Sequence, residues 1–142
     1  MDARLVVGVS GASGAPLALR LLLLAQECGL GVELIVTPGG ARTLREECGL
    51  GPEDLAQYAE AVYDCADLAA PPSSGSHPTL GMAVVPCSMK TLAGIASGYS
   101  ENLLLRAADV TLKEGRKLVL VVRDAPLSAV HLRNMYELAR FG

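Results

Sequence analysis

The chain has 142 residues, 51% hydrophobic and 19% charged, with a formal net charge of -3 and an aromatic complement of four Tyr and one Phe. High apolar content at low net charge excludes disorder, and 15 acidic against 12 basic residues, with no basic run, exclude nucleic acid as a partner. The densest apolar stretch, Leu17 to Ala25, is broken by Arg20 and falls short of the roughly 20 residues of a membrane span.

Arg4 to Val9 is a Val-rich run that predicts a strand buried on both faces. Ser10 to Gly14 breaks it. A helix follows, with Pro16 in its first turn, Cys28 near its end and Gly29 as its stop. Gly31 to Val36 predicts a second strand, Pro38-Gly39-Gly40 a break, and Ala41 to Cys48 a short helix. Leu55 to Ala61 is a helical candidate, and Pro71 to Ser76 is a loop by composition. Gly81 to Val85 predicts a third buried strand, ended by Pro86. Helices are expected over Lys90 to Ala96 and Asn102 to Glu114, with Gly98 and Gly115 as stops. Lys117 to Val122 is the fourth strand, and a last helix runs from Asp124 and Pro126 to Arg140.

Alternating strands and helices predict an α/β fold on a parallel sheet, with ligands beyond the carboxyl ends of the strands. The loops to inspect are therefore Ser10-Gly14, Thr37-Gly40, Pro86-Thr91 and Arg123-Pro126. The charged fraction lies below the usual ~25%, which favours subunits that share apolar interfaces. Cys28, Cys48, Cys65 and Cys87 form no C-x-x-C pair. The opening residues Met1-Asp2-Ala3-Arg4 lack a signal-peptide layout, so free thiols and a cytoplasmic location are expected. His77 and His131 have no metal-ligand spacing, and no metal is expected.

The first loop, with its glycines, two hydroxyls and a helix start, suits an anion, and its spacing favours a single phosphate over a dinucleotide. A plain glycine turn is the alternative. Ser88 in the third loop is either a ligand donor or a helix N-cap. Asp124 is either an N-cap or a buried catalytic carboxylate. Arg106 and Lys113, seven residues apart on one helix, share a side, which is equally the pattern of a solvated face.

The strings VGVSGASGAP, SSGSHPTLGMAVVPCSMKTLAGIASG and RAADVTLKE resemble the UbiX-type flavin prenyltransferases, formerly described as aromatic acid or 3-polyprenyl-4-hydroxybenzoate decarboxylases. The resemblance runs from the first strand to the last helix. It implies a three-layer, Rossmann-like (flavodoxin-like) doubly wound parallel sheet with helices on both faces, and a homo-oligomer, in the family a trimer-based dodecamer. It implies transfer of a dimethylallyl group from dimethylallyl phosphate to N5 and C6 of reduced FMN, without a metal. The product, prenylated FMN, serves a UbiD-type decarboxylase in ubiquinone biosynthesis or aromatic acid decarboxylation.

By the same resemblance Gly11, Ala12, Ser13, Thr37, Ser88, Met89, Lys90, Thr91 and Arg123 contact FMN. Arg106 and Lys113 meet the substrate phosphate, with Arg123 as a third cation. Ser13, Glu47 and Asp124 are the catalytic candidates. Thr37 stands where the family has Ser, and Asp124 where it has Glu, one methylene longer. Ser73 to Ser76 matches a family segment near subunit contacts. Family members continue past Gly142 with a strand, a Pro-rich segment bearing a Tyr, and a basic residue, so 1–142 is expected to be a single flavoprotein domain lacking that strand and tail. Two other functions compete: an FMN-binding carrier without transferase activity, and a flavin-dependent cysteine decarboxylase. The second lacks its usual His and P-x-M-N-x-x-M-W signature here.

Overall fold

The computed structural model describes residues 3–142; Met1 and Asp2, the start of the segment read as lacking a leader, lie outside the described residues. Five strands form one wholly parallel sheet: β1 (Arg4–Val9), β2 (Gly31–Val36), β3 (Ala61–Asp64), β4 (Gly81–Cys87) and β5 (Lys117–Val122), in the order β3-β2-β1-β4-β5. Among the described residues five helices connect them, α1 (Ala15–Glu27), α2 (Pro38–Cys48), α3 (Pro52–Leu55), α4 (Met89–Ala96) and α5 (Leu103–Lys113), and α6 (Ala129–Ala139) follows β5.

Side chains alternate across the sheet, as a strand period of two requires. Val7 and Val9 of β1 and Val32 and Leu34 of β2 pack with Ala15, Ala18 and Leu22 of α1, Leu44 of α2 and Leu55 of α3. Val6 and Ile35 point to the other face, where Leu92 and Ile95 of α4 and Leu103, Leu104 and Leu105 of α5 cover them. Helices on both faces make three layers. Central β4 is buried along its whole length, which explains its unbroken apolar run.

Four sequence expectations are corrected. Pro38-Gly39-Gly40 is not a break but the first turn of α2, because the Thr37 hydroxyl caps it by accepting the Gly40 N–H at 3.0 Å. Leu55 to Ala61 is not one helix: α3 ends at Leu55, a single 3-10 turn spans Ala56–Tyr58, and Ala61 begins the edge strand β3. With four residues and only alternate burial, β3 carries too little apolar pattern to stand out. β4 continues through Pro86 to Cys87, and the missing N–H is absorbed by a register shift against β5 between Val84 and Cys87. The last helix starts at Ala129 rather than at Asp124–Pro126, since Ser128 caps it and exchanges bonds with His131 at 3.1 and 3.2 Å.

All four cysteines are free thiols. Cys87 lies in the core, and burial pushes its thiol up to about 12, which removes it as a nucleophile. Among the described residues no helix is long and apolar enough to cross a membrane. Apolar side chains remain uncovered beside β5 and α6: Val119, Val130, Leu132, Tyr136 and Phe141.

β1 and α5 approach closely because position 8 has no side chain. A Cβ on Gly8 would lie 2.8 Å from Leu104 Cδ1. Leu104→Ala, which empties a fully buried site, should cost about 2–5 kcal/mol in denaturant unfolding. Gly8→Ala should be destabilising alone, and the double variant should be more stable than the sum of the two, since the new methyl enters the space that Leu104 leaves.

Candidate active site

Strand order reverses between β1 and β4. The loops after these two strands separate there and open a crevice at the carboxyl edge of the sheet. A buried serine ties the two loops together. Ser10, 1% exposed, donates its hydroxyl to the Pro86 carbonyl at 2.7 Å and accepts the Ser88 N–H at 2.8 Å. Its oxygen is therefore used by the scaffold, and only Ser13 of the two loop hydroxyls faces outward.

Two hollows meet at this point. One, of about 510 Å³, is lined by Gly11, Thr37, Pro38, Gly39, Ser88, Lys90 and Thr91, and extends to Tyr99, Glu101 and Asn102. The other, of about 450 Å³, is lined by Gly11, Ala12, Ser13, Ser88, Met89, Arg123, Asp124 and Ala125. They share Gly11 and Ser88. The floor is backbone: a Cβ on Gly11 would lie 2.9 Å from Gly39 Cα. Every FMN-contact candidate from the sequence lines one of these hollows.

The start of α1 departs from expectation. Its first N–H groups already hold an anion, and that anion belongs to the protein. Glu47 of α2 accepts Gly14 N and Ala15 N at 2.9 Å each on one oxygen and the Ser13 hydroxyl at 2.7 Å on the other. These bonds, led by the Gly14 N–H, lower the Glu47 pKa from its ordinary 4.5, and the Arg123 charge adds to the effect. Gly14 itself is left-handed at φ 119°, a conformation that side chains resist, and it lies against the Arg123 side chain.

The other two loops end in helix caps. Thr37 caps α2, and Ser88 caps α4 by accepting the Thr91 N–H at 3.1 Å. Ser88 donates in turn to the Thr91 hydroxyl at 2.9 Å. The N-cap reading of Ser88 thus holds, and the cap also directs the Thr91 hydroxyl and the start of α4 at the hollow. Lys90 is exposed at its rim.

Asp124 is neither a buried carboxylate nor a helix cap. It is exposed, and its Oδ1 accepts its neighbour's N–H, from Ala125, at 3.0 Å. Arg106 and Lys113 line neither hollow. Arg106 Nε donates to the Ser73 carbonyl at 3.2 Å and its terminal nitrogen pairs with Asp109 at 3.4 Å. Lys113 pairs with Glu114 at 3.3 Å. Arg106 meets the last residue of the 3-10 turn Pro71–Ser73, and Lys113 lies beside Gly75 in the segment after it.

Sequence reading missed Tyr99, Glu101 and Asn102, which extend the larger hollow; the Asn102 side chain caps α5. It also missed a polar cluster under α5, where Glu33 of β2 meets His77 and Tyr63. Residues 44 apart in sequence carry no local signal of such a pair. Among the described residues no group of His, Cys, Asp and Glu could hold a metal ion.

The Flavoprotein family model matches residues 1–142. A probable UbiX-like flavin prenyltransferase from Streptomyces sp. (strain D7) is 51% identical over 98% of this chain and 70% of its own length. The crystal structure of AnUbiX (PadA1) in complex with FMN and dimethylallyl pyrophosphate superposes with a TM-score of 0.98 at 44% identity, over 100% of this chain and 76% of that one. A dodecameric FMN-dependent UbiX-like decarboxylase from Escherichia coli O157:H7 gives 0.96 at 49% identity, over 98% of this chain and 76% of that one. A match along the whole chain, at about half of all positions, on the same parallel sheet, places this chain in the family of UbiX-like flavin prenyltransferases.

Proposed function

We propose that this chain transfers a dimethylallyl group from dimethylallyl phosphate to N5 and C6 of reduced FMN. The observation that carries this reading is the paired hollow at the switch point, with helix starts, hydroxyls and a lysine on one side and Ser13, Arg123 and Asp124 on the other. The donor set fits a flavin phosphate. Because Glu47 holds the start of α1, the phosphate belongs at the starts of α2 and α4, with Thr37, Ser88, Thr91 and Lys90. The backbone contact of Gly11 with Gly39 leaves a flat floor for a ring system. Reduced FMN supplies the nucleophilic N5 and C6 positions.

The bond from the allylic carbon to the phosphate oxygen breaks as that carbon bonds N5, and the leaving phosphate, which takes the N5 proton and returns it to the allyl double bond as the far carbon bonds C6, gains charge that cations must stabilise. Arg123 lines the hollow from within the chain. Arg106 and Lys113 lie outside it, so they act from a neighbouring copy in a trimer-based dodecamer; the relative from Escherichia coli O157:H7 is dodecameric. Uncovered apolar side chains on α6 and β5 support such an assembly. Asp124 takes the proton lost from C6, since it is the carboxylate lining that hollow. Glu47, already accepting three hydrogen bonds, is a weak base. Its part is to orient the Ser13 hydroxyl. The prenylated FMN passes to a UbiD-type decarboxylase, and four unpaired thiols suit a cytoplasmic protein.

Anaerobic mixing with reduced FMN and dimethylallyl phosphate should yield a flavin heavier by one prenyl group in mass spectrometry. Bound FMN of unchanged mass would overturn transfer and favour the carrier. Lys113→Ala should slow transfer on the order of a hundredfold or more while FMN stays bound.

Glu47→Gln should slow transfer at least about tenfold and also lower stability near neutral pH. A carboxyl with a lowered folded-state pKa stabilises fully above its ordinary value, and the contribution is lost as pH falls through the lowered one. The melting-temperature gap between wild type and Glu47→Gln should therefore narrow as pH drops from 7 towards 3.

A further inference from the structure

We infer that His77, seated on Glu33, and Arg116 are positioning residues that set Arg106 for the substrate phosphate; this rests on the prenyl-transfer reading above. The starting point is a carboxylate in an unlikely place. Glu33 lies within β2 and is 2% exposed. A buried charge is costly unless paired and hydrogen-bonded. His77 meets that need, with its Nε2 2.8 Å from both Glu33 oxygens, and the Tyr63 hydroxyl donates to the same carboxylate at 3.1 Å. Arg4 stands 3.9 Å away as a longer-range cation.

His77 closes a short segment, Ser73 to His77, whose carbonyls face two arginines. Arg116, in the turn between α5 and β5, donates to the Gly75 carbonyl at 2.8 Å and to the His77 carbonyl at 3.1 Å. At the other end of the segment, the Ser73 carbonyl accepts Arg106 Nε at 3.2 Å. The same segment passes beside Lys113, whose Nζ would lie 2.9 Å from a Cβ on Gly75.

One loop thus stands between an anchor in the sheet and two of the three cations proposed for the phosphate, Arg106 and Lys113. Arg106 has a second contact, Asp109 at 3.4 Å, but this is a half-exposed pair at i,i+3 spacing, which holds a side chain weakly. The Ser73 carbonyl is the directional partner of the guanidinium; its 3-10 turn ties it to the Ala70 carbonyl on one side, and His77 and Arg116 hold the loop on the other. None of the three anchoring residues Glu33, His77 and Arg116 lines the hollows at the switch point. Their effect on catalysis runs through Arg106.

The test compares His77→Ala, His77→Gln and Arg116→Ala with wild type. It measures KM for dimethylallyl phosphate, Kd for FMN, melting temperature, and assembly size by light scattering. His77→Ala should raise KM for dimethylallyl phosphate roughly tenfold or more, with FMN affinity and assembly size unchanged. His77→Gln, which keeps a donor for Glu33, should recover most of that loss. Arg116→Ala acts from the opposite side of the loop and should shift KM in the same direction, so the test survives if His77→Ala does not fold. A lowered melting temperature with wild-type KM in the soluble variants would make the cluster a fold staple and overturn the inference. So would a KM rise that accompanies smaller assemblies. If the wild-type protein itself leaves FMN at unchanged mass, prenyl transfer fails first and the inference falls with it.

Discussion

The site depends on one buried hydroxyl. Ser10 uses both its proton and a lone pair on the loop after β4, and its own N–H also reaches the Pro86 carbonyl, at 3.3 Å. The crevice of a doubly wound sheet opens because the chain leaves β1 towards one face and β4 towards the other. Without a tie, two loops departing in opposite directions have no common reference. Ser10 supplies it, and the position of Ser88 follows. From Ser88 follow the cap of α4 and the Thr91 hydroxyl; on the β1 side, Gly11 lies against Gly39. The bond lies in low dielectric, where hydrogen bonds strengthen and an orphaned partner is expensive.

Glu47 shows how a helix start can be committed elsewhere. The N-terminus of α1 has the features of an anion site: glycines, exposed N–H groups and a serine. A free phosphate there would compete with a carboxylate that comes with the fold, and the carboxylate has the advantage of being held within the same chain. Filling the position internally has two effects. It fastens α2 to α1 across the end of β1, and it turns Ser13 into a hydroxyl with a fixed proton direction. On the proposed reading the ligand phosphate is then left to the starts of α2 and α4.

The strands β1, β2 and β4 were legible in the sequence because burial on both faces writes itself as an apolar run; the edge strand β5 carries such a run too, although none of its residues is fully buried, and α1 was legible because Pro and Gly bracket it. β3 was not, because four residues at an edge with one face in solvent show almost no pattern. Pro38-Gly39-Gly40 misled for a physical reason. Proline and two glycines are poor inside a helix but acceptable in its first turn, where the proline N–H would have no partner and Thr37 supplies the cap. At the site, loops that follow strands were legible as loops, and their residues do meet. What could not be read was which donors the fold itself consumes. Ser10, Ser13 and Ser88 look alike in sequence; one is buried scaffold, one is held by Glu47, and one is a cap.

Arg106 and Lys113 are the harder case, because helix spacing placed them on a common side but could not say which side faces the crevice. α5 starts at the carboxyl edge, where Asn102 caps it beside the larger hollow, and runs away along the sheet at about 1.5 Å per residue. Its buried stripe, Leu104, Ala107, Ala108 and Thr111, is spent against the sheet, leaving Arg106 and Lys113 on the flank towards Ser73–Gly75. No rotation of α5 could bring these cations into the crevice without lifting that stripe from the core. Cations on the flank can serve a phosphate only across a boundary between copies. On the proposed reading, that requirement and the low charged fraction have one origin, since a surface that meets another subunit cannot be covered with solvated charge.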